Sequence, residues 1–152
     1  MAEKWELSRN GEGAESHVSL CGACKGLSYV GLGEALQGAD RYWPNGFSLW
    51  EKLSVLNTLE GRIHEEILKP HSPPPDPYEP LTEENSVGRR ILVPEPFGKD
   101  LYLWWIRAHL ASLQEETAHY NEAAERFNLA YRDFARWYHR KHSSSRGSYR
   151  YW

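Results

Sequence analysis

The residues with the most evident chemical potential lie near the start of the chain, where Cys21 and Cys24 are two residues apart and His17 precedes Cys21 by four. Two thiolates at that spacing can share a metal ion or close a redox disulfide. A closed structural zinc site needs four ligands, however, and no second cysteine pair or compact histidine pair completes this one. Redox chemistry would require a strand before the motif and a helix after it, a βαβ setting that the sequence lacks. His17, Cys21 and Cys24 are therefore metal candidates only as an alternative to incidental cysteines. The seven histidines are scattered, and His64-Glu65-Glu66 lacks the second histidine that a helical metal motif would place four residues on. Glu65/Glu66 and Glu115/Glu116 could be imagined as acid and base, but neighbours in a helix point about 100° apart and such pairs read as solvated faces. There is no nucleophile elbow or phosphate loop, and Gly31-Leu32-Gly33 has no third glycine for a dinucleotide fingerprint. The expectation is a protein that is not an enzyme and uses no cofactor.

What remains is the chemistry of contact. Seven Trp, nine Tyr and four Phe in 152 residues are more large rings than a small interior readily holds. Surplus aromatic surface concentrates in protein interfaces. From residue 132 onward, six Arg and Lys stand against Asp133 alone, although the whole chain has 18 basic and 21 acidic residues. Arg140 and Lys141 also complement the negative end of a helix, which is the plain explanation for those two. Beyond them, Arg146, Tyr149, Arg150, Tyr151 and Trp152 interleave positive charge with ring planes, a combination that suits either nucleic-acid phosphates and bases or the pockets of a protein partner. The net charge of −3 argues against a dedicated DNA binder and favours the protein anchor.

The elements that must position these residues are mostly helical. Residues 1–31 show no sustained period and read as irregular, followed by a short helix around Leu32–Asp40. Ser48 and Glu51 form a capping-box pair, after which Leu49, Leu53, Leu56, Leu59, Ile63 and Ile67 trace one helical face up to Pro70. Eight of the nine prolines fall between Pro70 and Pro96, so this connection is not helix. Pro73-Pro74-Pro75 favours polyproline geometry, and Arg90–Val93 reads as a short strand. From Asp100 to His142 a helical stripe of Ile106, Leu110, Leu113, Thr117, Tyr120, Ala124, Phe127, Tyr131, Phe134 and Tyr138 alternates spacings of four and three, the seam of coiled-coil-like packing. It is compatible with one helix of roughly 60 Å or with a hairpin broken near Tyr120-Asn121. The fold class expected is therefore mainly α: a helical-bundle subunit with one long C-terminal helix or helical hairpin, a long Pro-rich loop and a short strand or hairpin. Its parts are an irregular segment 1–31, a helical domain 32–142 containing the loop 70–96, and a basic aromatic tail 143–152. The longest wholly apolar run, Leu101–Ile106, cannot span a bilayer, and the first residues lack the layout of a secretory signal. No membrane partner and a cytoplasmic setting are expected, with two cysteines consistent with a reducing one.

Several segments together resemble a known family. Leu92-Val93-Pro94-Glu95-Pro96-Phe97, Asp100-Leu101-Tyr102-Leu103-Trp104-Trp105, His119-Tyr120-Asn121, Phe127-Asn128-Leu129-Ala130-Tyr131 and Phe134-Ala135-Arg136-Trp137-Tyr138 look like the head–tail connector, or adaptor, proteins of tailed bacteriophages and prophages of Gram-positive bacteria. The resemblance covers roughly Leu32 to His142. It implies a helical virion subunit in the neck that joins a ring, commonly of twelve copies, below the portal protein. Such a ring docks a tail-side neck or stopper protein and surrounds the packaged DNA without reading its sequence. By that analogy residues 143–152 engage the portal or a neighbouring copy. Trp104, Trp105, Tyr120, Phe127, Tyr131, Phe134, Trp137 and Tyr138 would serve helix packing or subunit contact, and Arg132, Arg136, Arg140 and Lys141 would supply charge towards the DNA channel. The implied location is the virion head–tail interface, with assembly in the host cytoplasm. The Pro-rich loop and the Cys21/Cys24 segment depart from the family's pattern. Two alternatives stand beside this reading: a stand-alone helical module that binds partners through Pro73-Pro74-Pro75, and a zinc-binding protein built on His17, Cys21 and Cys24.

Overall fold

The computed structural model describes residues 26–145. The chain is mainly helical, with α1 at Leu32–Tyr42, α2 at Leu49–Ile63, α3 at Gly98–Leu113 and α4 at Thr117–Lys141. No helix among the described residues is long and apolar enough to cross a membrane. In α1 the buried residues Leu32, Ala35, Leu36 and Ala39 fall at helical spacing and pack against α3. Lys52 Nζ reaches Asp40 Oδ1 at 3.0 Å and so ties the end of α1 to the start of α2. The expected capping box opens α2: Ser48 Oγ accepts from Glu51 N, and Glu51 Oε2 accepts from Ser48 N at 2.7 Å. Leu53, Leu56, Leu59, Ile63 and Ile67 are buried as their spacing predicts, whereas Leu49, in the first turn, is 44% exposed. After Ile63 the helix widens into a π-turn, His64–Leu68, closed by Lys69 N–H donating to His64 O at 2.9 Å. Pro70 ends it, because the ring has no N–H to continue the ladder.

Gly98 starts α3 at a place only glycine can occupy, since a Cβ there would collide with Val93 O and the Ile91 side chain. The long helical stripe resolves into a hairpin rather than one rod. The break lies at Gln114–Glu116, not at Tyr120-Asn121, and its signature is in the backbone. Glu116 N–H donates to Ala111 O at 2.9 Å and Glu115 N–H to Ser112 O at 3.3 Å, with Glu115 at φ 59°. That is the paired 6→1 and 5→2 closure of a left-handed helix cap, with glutamate where glycine is usual. The heptad phase crosses the turn, but the residues beside it are solvent-facing: Leu113 is 62% and Tyr120 43% exposed.

The strand expectation needs correction. Arg90–Val93 makes only an isolated bridge, Gly31 to Arg90, with Leu32 N–H donating to Arg89 O and Ile91 N–H to Val30 O. The contact resumes beyond Pro94, where Glu95 N–H donates to Ser28 O at 2.8 Å, out of register with the first bonds, so no regular ladder forms. The two-stranded sheet forms elsewhere: β1 (His71–Ser72) pairs antiparallel with β2 (Ser143–Ser144), His71 opposite Ser144. Residues 143–145 are thus part of a clasp rather than of a free tail, and Ser145 N–H donates to Pro70 O at 2.8 Å.

Glu115→Gly should stabilise the protein by about 1 kcal/mol, since an L-residue in the left-handed region carries a penalty of that order that glycine lacks. Thermal melts followed by circular dichroism should show Tm rising by about 2–5 °C. An unchanged or lower Tm would mean that the turn is not held in this cap.

Candidate interaction surface

Two buried polar networks deserve comparison with an active site before any surface is considered. In the first, Glu60 interrupts the leucine face of α2 and is fully buried. Tyr102 of α3 donates its hydroxyl to Glu60 Oε1 at 2.7 Å and accepts from Leu92 N–H at 3.2 Å, while Arg89 lies 3.6 Å from Glu60 Oε2. Burial raises the Glu60 carboxyl above its ordinary range, opposed by the Tyr102 hydroxyl and the Arg89 charge. Burial, and then the Glu60 charge, also pushes the Tyr102 phenol well up, so it stays a donor. One turn earlier Asn57 accepts from Leu81 N–H and from the Tyr78 hydroxyl and donates to Leu81 O. The Asn57 bonds, the Tyr102–Leu92 bond and Arg89 hold the Pro-rich connection, and the Glu60 carboxyl is fully buried, so the network acts as a clamp.

The second network joins the ends of α2 and α4. His71 is buried, hydrogen bonds Ile67 O through Nδ1, and lies 2.7 Å from His139 Nδ1 through Nε2. His142 stacks on Tyr138 with ring centroids 3.7 Å apart. The cluster packs the β1–β2 clasp onto the bundle. Among the described residues no group of three or more His, Cys, Asp or Glu is arranged to hold a metal ion. His17, Cys21 and Cys24 lie outside the described residues, as do Arg146, Tyr149, Arg150, Tyr151 and Trp152.

The structure places most of the ring-bearing candidates inside one chain. Phe127, Phe134 and Tyr138 are buried, and Trp104, Trp105, Tyr131 and Trp137 pack partly exposed against the same core. Trp105 stands 4.9 Å from Phe127 between ring centroids and donates Nε1–H to Val55 O. Arg126 covers Trp104 at 4.8 Å, and Tyr131 donates its hydroxyl to Glu66. These residues are the glue of the α3–α4 hairpin, and Tyr120 alone of the eight is largely exposed.

Among the described residues, two surfaces stand out by their chemistry. One is basic: Arg132, Arg136 and Arg140 stand four residues apart on α4, all exposed, with Lys141 beside them. Spacing of four keeps the three guanidinium groups on one face over about 12 Å. None of the four cations makes an ion pair among the described residues. The other surface is apolar. At the far end of the bundle, Phe47, Trp50 and Val55 face Ile106, Leu110 and Leu113 across a groove of about 250 Å³. Trp50 is 66% exposed, and His109 on the groove wall is held below its ordinary range by burial, which keeps it uncharged at neutral pH. Sequence periodicity missed this groove because it assigns residues to helix faces, not to the space between two helix ends. The available signal was Trp50, a large ring one step out of phase with the leucine face. Comparison with known protein families, curated proteins and solved structures finds no match to this chain.

The buried carboxyl makes stability depend on pH with a definite sign. Because its folded value is raised, the native chain holds a proton that the unfolded chain, titrating near 4.5, has released. Stability should therefore fall as pH rises from about 4.5 through the folded value and level off above it. Glu60→Gln keeps an acceptor for Tyr102 and should remove this decline, leaving the variant at least as stable as the parent at pH 8 in urea titrations. Tyr102→Phe orphans Leu92 N–H and Glu60 together and should cost about 2–3 kcal/mol.

Proposed function

We propose that this chain is a structural virion protein, a head–tail connector subunit that joins an oligomeric ring beneath the portal and surrounds the DNA channel. The observation that carries the reading is the row of exposed arginines, Arg132, Arg136 and Arg140, without ion pairs among the described residues, along one face of the 25-residue helix α4. A rigid helix with evenly spaced cations offers phosphates attraction without base readout, which suits a channel that DNA must slide through. The mainly helical architecture and the hairpin's aromatic spine, in the segments that resemble connector proteins, support the same reading. Portal and tail-side neck proteins are the partners it implies, with twelve copies the expected ring size.

A second reading has one observation in its favour. Pro73 and Pro74 are exposed, so the polyproline stretch is open to an aromatic groove on a partner, as a stand-alone binding module would need.

The test is particle biochemistry. Purified particles should contain the chain in about equal number to the portal, at the neck by electron microscopy. Changing Arg132 and Arg136 to Gln, which spares the cations of the last turn, should leave the melting curve nearly unchanged and lower the yield of DNA-filled particles at least about tenfold. Absence of the chain from particles would remove the reading. Loss of partner binding on changing Pro73, Pro74 and Pro75 to Ala, with the arginines immaterial, would favour the module.

A further inference from the structure

The groove between the start of α2 and the end of α3 is unfilled by any of the described residues, and the molecule carries a segment chemically suited to fill it. We propose that it receives the segment Arg146–Trp152 of a second copy of this chain, in a head-to-tail contact. This rests on the reading of the chain as a self-assembling subunit and names the surface its basic aromatic segment would occupy.

Complementarity comes first. The segment offers Tyr149, Tyr151 and Trp152 between Arg146 and Arg150. The groove offers Trp50, Val55 and Leu113 as apolar wall, with the Glu51 carboxylate on its rim. Hydrogen bonding to Ser48 keeps Glu51 below the usual carboxylate range, so it stays ionised. Glu115, two residues past Leu113, has no ion pair among the described residues, and the negative end of the α3 dipole lies beside it. Rings into an apolar cleft with arginines reaching acidic rims is the usual make-up of an interface anchor.

Geometry then decides which copy supplies the segment. Ser145 is fixed to Pro70 at one end of α4, while Leu113 and the groove lie at the other end. The 25 residues of α4 separate these points by about 37 Å. Trp152 lies seven residues beyond Ser145, and seven residues fully extended span about 24 Å. Along α2, Pro70 is 15 residues from Val55 at the near edge of the groove, about 22 Å, so a fully extended Trp152 reaches that edge of its own chain; the whole set of rings, Tyr149 included, can line the groove as far as Leu113 only in another copy. A contact joining opposite ends of identical subunits is heterologous: it closes into a ring or propagates as a filament.

The probe is a fluorescein-labelled peptide of residues 143–152, titrated with the full chain and read by anisotropy. Saturable binding is expected, weakened at least tenfold by Leu113→Glu in the chain or by Ala at Tyr149, Tyr151 and Trp152 in the peptide. Leu113 is already 62% exposed, so the variant should melt as the parent does. In sedimentation velocity, Leu113→Glu should also abolish any concentration-dependent self-association of the full chain. No binding up to about 1 mM chain would overturn the proposal, whether because residues 1–25 fill the groove or because the segment belongs to another protein such as the portal. Equal binding by the Leu113→Glu chain would overturn it too, by placing the peptide elsewhere. The connector reading fails separately, by absence of the chain from particles, even if the peptide binds.

Discussion

The hydrogen bond from Tyr102 to Glu60 is the constraint around which the rest of the fold is arranged. It joins α2 to α3 at the centre of the core, and through Leu92 N–H it includes the Pro-rich connection as a third party. That connection needs such help. Prolines supply no N–H, so it cannot satisfy itself in a helix or sheet, and closing a loop of this length has an entropic cost. Side chains of α2 provide the missing partners: Asn57 binds both backbone groups of Leu81, and Glu60 meets Tyr102 and Arg89. A buried carboxyl is costly alone; here Tyr102 donates to one oxygen, while the other has Arg89 at 3.6 Å and no hydrogen bond among the described residues.

With the loop pinned on α2, the α3–α4 hairpin can pack along the bundle with its rings facing inwards. The aromatic excess is spent largely on this packing. Phe127, Phe134, Tyr138 and Tyr102 fill the interior, Trp104 and Trp43 sit at its edge beneath the guanidinium groups of Arg126 and Arg107, and Trp137 stacks beside Phe134. Ring content was thus a guide to core building first and to contact with other molecules second. What is left for partners is polarised, with apolar surface at the turn end and basic surface towards the clasp.

Much of this was legible from residue order alone. The Ser48–Glu51 box, the leucine face of α2 and the stop at Pro70 are local features, and local features need no knowledge of the rest of the chain. The position of the α3–α4 break was harder to read, because Gln114-Glu115-Glu116 contains neither glycine nor proline and the stripe keeps its phase across it. The left-handed conformation of Glu115 is imposed by two helices that pack better folded back than end to end. The clamp was invisible for a different reason: Glu60 and Tyr102 lie 42 residues apart, and a carboxylate one step off a leucine face looks solvated until another helix covers it. The β1–β2 clasp pairs residues more than seventy positions apart through two-residue strands of ordinary composition, which carry no periodic signal at all.

The layout of α4 has one more consequence. Glu115, Glu116, Glu122 and Glu125 gather at its first turns, and Arg132, Arg136, Arg140 and Lys141 at its last. Two groups of opposite charge whose mean positions lie about 27 Å apart along a stiff rod give the subunit an orientation in any electric field, including that of another copy. Approaching subunits would swing into line before touching, so the speed of encounter should depend on ionic strength and slacken as the screening length shrinks below about 8 Å.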